Sequence, residues 1–238
     1  MRYQPARSPL HQGPCRALAA NANAFARESM IDELARRIGE DPLGFRLSRL
    51  DDDRLATVLR IAPERFDWAA RRTQARAPGP GWRTRREPRG RSGKGMAVGL
   101  EKGSRVATCA RVRVDPDGRL VVERIVTAYD CGTVVNPDTV VNQIEGATVM
   151  ALGGARIEAL PVAGGRLADS SLARYPLPRF ADRPEIEVVL CDRPDLPSEG
   201  AGETPMIAVA PAVANAVFDA TGRRLRDLPL APGRHLPA

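Results

Sequence analysis

The stretch VATCARVRVDPDGRLVVERIVTA, residues 106–128, decides the fold of this chain. Its two halves, residues 106–114 and 120–128, are rich in β-branched residues, which is typical of strands. The Asp-Pro-Asp-Gly sequence between them favours a turn, because Asp hydrogen-bonds to its own backbone and Gly adopts a positive φ at low cost. The stretch therefore predicts a β-hairpin.

Other strands and helices are predicted around this hairpin. Two strands are predicted at residues 96–100 and 185–191. Apolar residues at helical spacing, a stop at Gly39 and a first-turn proline at Pro42 indicate helices. The predicted helices cover residues 23–39, 42–50, 51–59, 63–72, 139–152 and 209–221. Because strands and helices interleave without a regular βαβ repeat, the predicted fold class is α+β rather than a doubly wound sheet.

The predicted secondary structure changes from mainly helical to mixed helix and strand at an Arg-, Pro- and Gly-rich stretch. We predict a mainly helical part over residues 1–72, a connector over 73–93 and an α+β domain over 94–238. Between Arg71 and Lys94 there are nine basic residues and one acidic residue, so this stretch could contact nucleic acid. No aromatic ladder accompanies the arginines, so a solvated connector is favoured and nucleic acid is the least favoured partner.

Composition argues against several classes of protein. The chain has no apolar run of the roughly 18–20 residues needed to span a bilayer, and residues 1–5 lack the apolar core of a signal peptide. A cytoplasmic protein without a membrane segment is therefore predicted. The four cysteines show no C-x-x-C spacing and the two histidines lie near opposite ends, which argues against a zinc knuckle, an iron–sulfur cluster or a His-based triad in this chain. Cys109 and Cys131 are predicted to be small buried residues.

The candidate site is Gly200-Ala201-Gly202-Glu203, ahead of the helix predicted at 209–221. Two glycines around an alanine let the backbone approach a bulky group closely. The carboxylate of Glu203 is placed to move a proton at that group. The start of the following helix is expected to offer free N–H groups to an anionic ligand. On spacing alone, an ordinary turn with a solvated glutamate is the alternative.

An ordered set of motifs resembles one enzyme family. The motifs are CRALA (15–19), FARESMIDELA (25–35), DPLGFRL (41–47), DCGTVVNPD (130–138), NQIEG (142–146), YPLPRF (175–180), GAGE (200–203) and VANAV (213–217). Each is weak alone, but together they are specific. The chain resembles the molybdopterin-binding large subunit of the xanthine dehydrogenase/aldehyde oxidase family, in its nicotinate or isoquinoline dehydrogenase branch.

The resemblance implies a reaction and its cofactors. It implies molybdopterin, with the cytosine dinucleotide as one possible form, and a substrate that is an N-heterocycle or an aldehyde. It also implies that a hydroxide ligand of molybdenum attacks an electron-poor carbon, that hydride passes to a sulfido ligand, and that Glu203 acts as the general base. Electrons then leave through iron–sulfur clusters and often FAD, which are expected only on partner subunits.

The resemblance also assigns cofactor-binding residues. Arg16 and Ala17 match a loop that borders the metal, and Gln143 matches a glutamine that hydrogen-bonds to the pterin. Gly200, Ala201 and Gly202 are expected to supply backbone N–H groups to the cofactor. No side chain is predicted to ligate the metal directly. The alternatives from the residues themselves are a surface arginine at 16 and a polar first-turn helix residue at 143.

The chain departs from the family pattern in what it lacks. The family's first half, with its M-G-Q-G segment, has no equivalent here, so the chain is expected to be a C-terminal portion. Expected partners are the missing N-terminal half, an iron–sulfur small subunit and, in some complexes, a FAD subunit. Thr204-Pro205-Met206 and Leu172 also differ from the family's usual residues and put the substrate pocket in doubt. The alternatives are a catalytically inert, truncated remnant and a basic nucleic-acid-binding protein.

Overall fold

The computed structural model describes residue 13 and residues 15–69, 90–167 and 171–231. These ranges contain five α-helices: α1 (Leu18–Arg37), α2 (Pro42–Leu47), α3 (Asp53–Phe66), α4 (Pro137–Arg156) and α5 (Val209–Thr221). They also contain six strands: β1 (Arg91–Glu101), β2 (Ser104–Val114), β3 (Leu120–Asp130), β4 (Val162–Ala163), β5 (Arg166–Leu167) and β6 (Glu185–Leu190). None of the helices in these ranges is both long and apolar enough to cross a membrane.

A four-stranded mixed sheet in the order β1-β2-β3-β6 forms the centre of the structure. β1, β2 and β3 form an antiparallel meander, and β6 pairs in parallel with β3. The predicted hairpin is confirmed, because Val114 pairs with Leu120 across the turn. β4 and β5 form a separate two-stranded ladder. This mixed sheet with its helices confirms the predicted α+β class.

Each face of the sheet carries its own apolar core, because side chains alternate between the faces of a strand. On one face, α3 packs through Leu59 and Phe66 against strand residues that include Met96. On the other face, α5 packs with α1 and α4 against strand residues that include Val112 and Ile125. The prediction of buried Cys109 and Cys131 is confirmed, although Cys131 lies one residue beyond β3.

The backbone of α5 lies directly on β1, because glycines of the strand face the helix. A Cβ atom built on Gly93 would lie 2.2 Å from the carbonyl oxygen of Ala216. A Cβ atom built on Gly95 would lie 2.2 Å from the amide nitrogen of Ala216. Further along the strand, a Cβ on Gly99 would lie 2.4 Å from the side chain of Ile207. The segment ahead of α5 is therefore held over the last residues of β1.

A buried polar network covers the free edge of β1. The Glu28 carboxylate accepts hydrogen bonds of 3.1 Å from the Val98 N–H and from Arg46 Nε. Asn215 Nδ2 donates to the carbonyl oxygen of Met96 at 3.0 Å. Because an uncovered strand edge invites pairing with another chain, these side chains close a surface that would otherwise favour aggregation.

The prediction of two helices over 51–59 and 63–72 is wrong, because the single helix α3 runs through Pro63. A proline removes one helical N–H and crowds the preceding turn. Pro63 lies in the last turn, however, and the apolar stripe that contains Leu59 and Phe66 continues across it into the core. Burial of that stripe outweighs one lost hydrogen bond.

Residues 91–93, at the end of the predicted connector, belong to a strand, because β1 begins at Arg91. Paired strand residues therefore replace the last part of the predicted irregular segment. Residues 70–89, with most of the arginines, lie outside the described ranges. The division into parts 1–72, 73–93 and 94–238 stays a prediction.

Candidate cofactor-binding and base loop

The Gly200–Glu203 loop is held by hydrogen bonds to one carbonyl. Gly200 has a φ of +72°, which favours glycine because a Cβ atom would be strained there. Its carbonyl oxygen accepts hydrogen bonds from the Tyr129 hydroxyl at 2.7 Å and from Ser104 Oγ at 3.2 Å. Burial raises the pKa of Tyr129 to about 12, while hydrogen bonds to Ser104 and Thr204 act in the opposite direction. The hydroxyl therefore stays protonated and remains a donor at neutral pH.

The backbone of this loop faces open space. Cβ atoms built on Gly200 and Gly202 would meet no atom within 4 Å. The N–H groups of Gly200, Ala201 and Gly202 donate to no acceptor among the described residues. Ala201 anchors the loop, because its side chain is buried in the apolar core that also contains residues of α5. The loop thus offers backbone donors on a surface that a bulky ligand can approach.

Arg16 lies against this loop. Its Nε donates to the Gly202 carbonyl oxygen at 2.6 Å, and its Nη2 donates to Gln143 Oε1 at 3.0 Å. The next residue, Ala17, is fully buried with a φ of +65°, so the chain turns sharply into α1. Four of the predicted cofactor-binding residues, Arg16, Ala17, Gln143 and Gly202, are therefore brought together from three separate parts of the chain.

Gln143 stands in the second turn of α4, not in its first. Asn136 caps that helix by accepting a hydrogen bond of 3.1 Å from the Thr139 N–H. The Gln143 side chain is exposed, and its amide nitrogen has no acceptor among the described residues. Its oxygen is thus held by Arg16, and two N–H donors are left for a ligand.

Glu203 is partly exposed and forms an ion pair with Lys102. The contact joins Lys102 Nζ to Glu203 Oε2. The next residue, Thr204, is fixed by a hydrogen bond of 3.0 Å from its Oγ1 to the carbonyl oxygen of Glu101. The candidate base is therefore held at the turn between β1 and β2.

The helix after Glu203 does not follow the loop directly. A short 3₁₀ turn, Thr204–Met206, separates the loop from α5, which begins at Val209. The residues of the first turn of α5, among them Val209 and Ala210, are buried. That the start of α5 offers N–H groups to a ligand stays a prediction.

Three residues that position the site were not found by sequence reasoning. They are Lys102, Ser104 and Tyr129, which lie on the β1–β2 turn and on β2 and β3. Their contacts to residues 200–203 span about 70 to 100 positions in the chain, so no local pattern indicates them. For Lys102 a local signal was available, because a lysine that precedes a glycine in a short turn between two strands is unusual.

The donors suit an anionic group that also accepts hydrogen bonds. The guanidinium of Arg16, the amide of Gln143 and the N–H groups of the loop are donors, and two exposed glycines leave room beside them. Guanidinium groups and consecutive backbone N–H groups bind phosphate and similar anions. The residues present therefore fit a pterin cofactor with an anionic tail.

Comparison with known proteins identifies a molybdopterin-binding family and relatives that are oxidoreductase subunits. The molybdopterin cofactor-binding domain family matches residues 101–184. A nicotinate dehydrogenase subunit from Pseudomonas putida is 35% identical over 92% of this chain and 19% of its own length. The beta subunit of isoquinoline 1-oxidoreductase from Brevundimonas diminuta is 35% identical over 87% of this chain and 25% of its own length.

Solved structures show the same fold. Quinoline 2-oxidoreductase from Pseudomonas putida 86 superposes with a TM-score of 0.79 over 92% of this chain and 52% of that chain, at 15% identity. The chain belongs to the molybdopterin-binding subunits of the xanthine dehydrogenase/aldehyde oxidase family, whose members are oxidoreductases. It spans 19% and 25% of the two relatives compared above.

Proposed function

We propose that this chain supplies the general base and part of the cofactor-binding surface of a molybdenum hydroxylase that oxidises an N-heterocycle or an aldehyde. The observation that carries the proposal is the convergence of Arg16, Gln143 and Gly202 beside Glu203. When bound, molybdopterin would supply the redox centre and the oxygen-transfer chemistry.

Each residue of the site has a role that follows from its chemistry. Arg16 and the amide of Gln143 bind and orient the cofactor through donors in fixed directions. Gly200, Ala201 and Gly202 offer backbone N–H groups at close approach. Glu203 takes up one proton as the substrate is oxygenated, and its Oε1 is available because Lys102 contacts Oε2.

The rest of the enzyme is proposed to lie on other polypeptide segments. The nicotinate dehydrogenase and isoquinoline 1-oxidoreductase relatives are subunits, and this chain spans at most a quarter of each. The proposed partners are the remaining part of the large subunit, an iron–sulfur subunit and a FAD subunit. The cytosine dinucleotide form of the cofactor and the cytoplasmic location belong to the same proposal.

Reconstitution tests this function. The chain is co-expressed with polypeptides that carry the remaining large-subunit segment and the iron–sulfur subunit, and molybdenum content and substrate oxidation are measured. The wild-type complex should bind molybdenum and oxidise nicotinate, isoquinoline or an aldehyde. Glu203→Gln should keep the molybdenum and lower kcat by roughly 10²–10⁴-fold.

A neighbouring carboxylate provides the matched control. Glu199→Gln removes an exposed carboxylate four residues away and should leave kcat within about twofold of wild type, since it is not the proposed base. A wild-type complex that binds no molybdenum with any complementing segment would support the inert-remnant alternative and contradict the proposal.

A further inference from the structure

We infer that Lys102 is a positioning residue for Glu203, which holds one carboxylate oxygen so that the other receives the proton. This inference rests on the proposed function, because it gives the ion pair a role in that reaction. The observation behind it is that Lys102 Nζ contacts Oε2 of Glu203, while no described residue contacts Oε1.

The backbone at Lys102 is strained in a way that points to function. Lys102 and Gly103 are the two central residues of the β1–β2 turn, and their φ angles are +47° and +79°. Both angles are typical of a type I′ turn, where Asn-Gly and Gly-Gly are preferred. A lysine is unfavourable at a positive φ, and such strained residues cluster at functional sites.

The turn that carries Lys102 is fixed to the rest of the fold. Arg105 Nη1 donates to the carbonyl oxygen of Gly103, and Arg105 Nη2 donates to Asp52 at 3.0 Å. Asp52 is the N-cap of α3 and also accepts a hydrogen bond of 2.8 Å from the Leu55 N–H. The lysine therefore projects from a turn that is anchored to a helix.

The other side of the pair is equally constrained. Glu203 lies between Gly202, which accepts a hydrogen bond from Arg16, and Thr204, which donates to Glu101. The Lys102 side chain is 53% exposed and that of Glu203 is 30% exposed. Exposed ion pairs contribute little to stability. The pair therefore acts mainly on the orientation of the carboxylate, and its removal should leave the fold intact.

The chain offers a sharp spectroscopic test, because Lys94 and Lys102 are its only lysines. The full chain is produced with ¹⁵N- and ¹³C-labelled lysine, and Lys102→Arg assigns the two side-chain signals. Glu203→Gln should shift the Nζ signal of Lys102 and leave that of Lys94 in place. Glu185→Gln, which removes an exposed carboxylate paired with Arg124, should shift neither signal.

Kinetics of the reconstituted complex provide the second readout. Lys102→Met should lower kcat by about ten- to hundredfold with little change in KM, because a misplaced base slows the chemical step. Lys102→Arg should restore most of kcat, since it keeps the positive charge. An unchanged kcat in Lys102→Met would overturn the inference.

The two proposals fail in different ways. A Lys102 signal that is insensitive to Glu203→Gln, or equally sensitive to Glu185→Gln, overturns the positioning role even if the wild-type complex turns over substrate. If the Lys102 signal responds to Glu203→Gln but no complex of the chain binds molybdenum, the proposed function is contradicted instead. The kinetic role of Lys102 is then contradicted as well.

Discussion

Arg16 and Gln143 are joined by a hydrogen bond of 3.0 Å although they are 127 positions apart in the chain. Arg16 precedes α1 and Gln143 lies on α4, and the same guanidinium reaches the Gly202 carbonyl oxygen at 2.6 Å. One side chain thus fixes the relative positions of two helices and the loop that carries the candidate base. A guanidinium can do so because its donors lie in one rigid plane.

Arg16→Lys should therefore weaken cofactor binding without unfolding the chain. An ammonium group cannot reproduce two donors in a fixed plane, so either the contact to Gln143 or the contact to Gly202 should be lost. We expect a reconstituted complex to retain roughly tenfold less molybdenum after extensive dialysis, which corresponds to about 1.4 kcal/mol of binding free energy.

Arg37→Lys, at the exposed end of α1, is the matched control for Arg16→Lys and should retain molybdenum at the wild-type level. Metal analysis of the dialysed complexes measures both variants. Equal molybdenum content in Arg16→Lys and wild type would contradict a cofactor-orienting role for Arg16.

The ion pair between Arg54 and Asp130 should make stability depend on acid pH. The carboxylate accepts 2.9 and 2.6 Å hydrogen bonds from Arg54 and a 2.9 Å hydrogen bond from the Gly132 N–H. Burial raises the pKa of Asp130, but Arg54 and the Gly132 N–H together outweigh burial and lower it. The contribution of the pair is therefore fully present above the unfolded-state pKa of about 3.9 and is lost as pH falls through the lower folded-state pKa.

Asp130→Asn should lower the free energy of unfolding at pH 7 by about 3 kcal/mol, because the Asp130 side chain is buried and its arginine partner would lose its counter-charge. Urea unfolding at pH 7 and near pH 3 measures the difference between variant and wild type. The difference should shrink at the lower pH. A difference that is the same at both values would show that the lost charge is not its cause.

Gly95→Ala should destabilise the chain, because the added methyl group has no room. Its position lies 2.2 Å from the amide nitrogen of Ala216 and 2.3 Å from the carbonyl oxygen of Ala212, and both atoms belong to the helix backbone. Overpacking of this kind costs about 1–3 kcal/mol or more. Gly154→Ala, in α4 with no atom within 4 Å of the new Cβ, should instead stabilise by about 0.5–1 kcal/mol. Thermal unfolding of both variants measures whether each is less or more stable than wild type. A Gly95→Ala variant as stable as wild type would contradict the close approach of α5 to β1.

Local patterns account for the parts of the fold that were predicted. The hairpin at 106–128 and the helix at 209–221 depend on alternation, turn residues and helical spacing within single segments. Pro63 was misread because tertiary burial of the α3 stripe overrides a local helix breaker. Lys102, Asn215 and Tyr129 act through partners about 70 to 120 positions away, which no single-sequence pattern records.

The candidate site was predicted through motif resemblance rather than from spacing. Glu203 and its glycines are a generic turn by local criteria, and only their order among other motifs indicated a cofactor. The structure adds what the motifs do not contain, namely which side chains hold the loop and where its glycines leave open space.

The contact between Tyr129 and Gly200 yields a prediction at alkaline pH. Burial raises the pKa of Tyr129 to about 12, against about 10 for an unfolded tyrosine. A raised folded-state pKa means that the neutral hydroxyl is favoured by the fold, so its contribution is complete below pH 10 and is lost as pH rises through about 12.

Tyr129→Phe should lower the free energy of unfolding at pH 8 by about 1 kcal/mol through loss of one hydrogen bond. Because Phe cannot ionise, the variant should also lose less stability than wild type between pH 10 and 12. Hydrogen exchange of the Glu199 and Met206 N–H groups, which flank the loop and donate to the carbonyl oxygens of Cys131 and Glu203, should become faster in Tyr129→Phe. It should stay unchanged in Tyr175→Phe, whose hydroxyl contacts Glu158 instead. Identical exchange in both variants would show that Ser104 alone holds the Gly200 carbonyl.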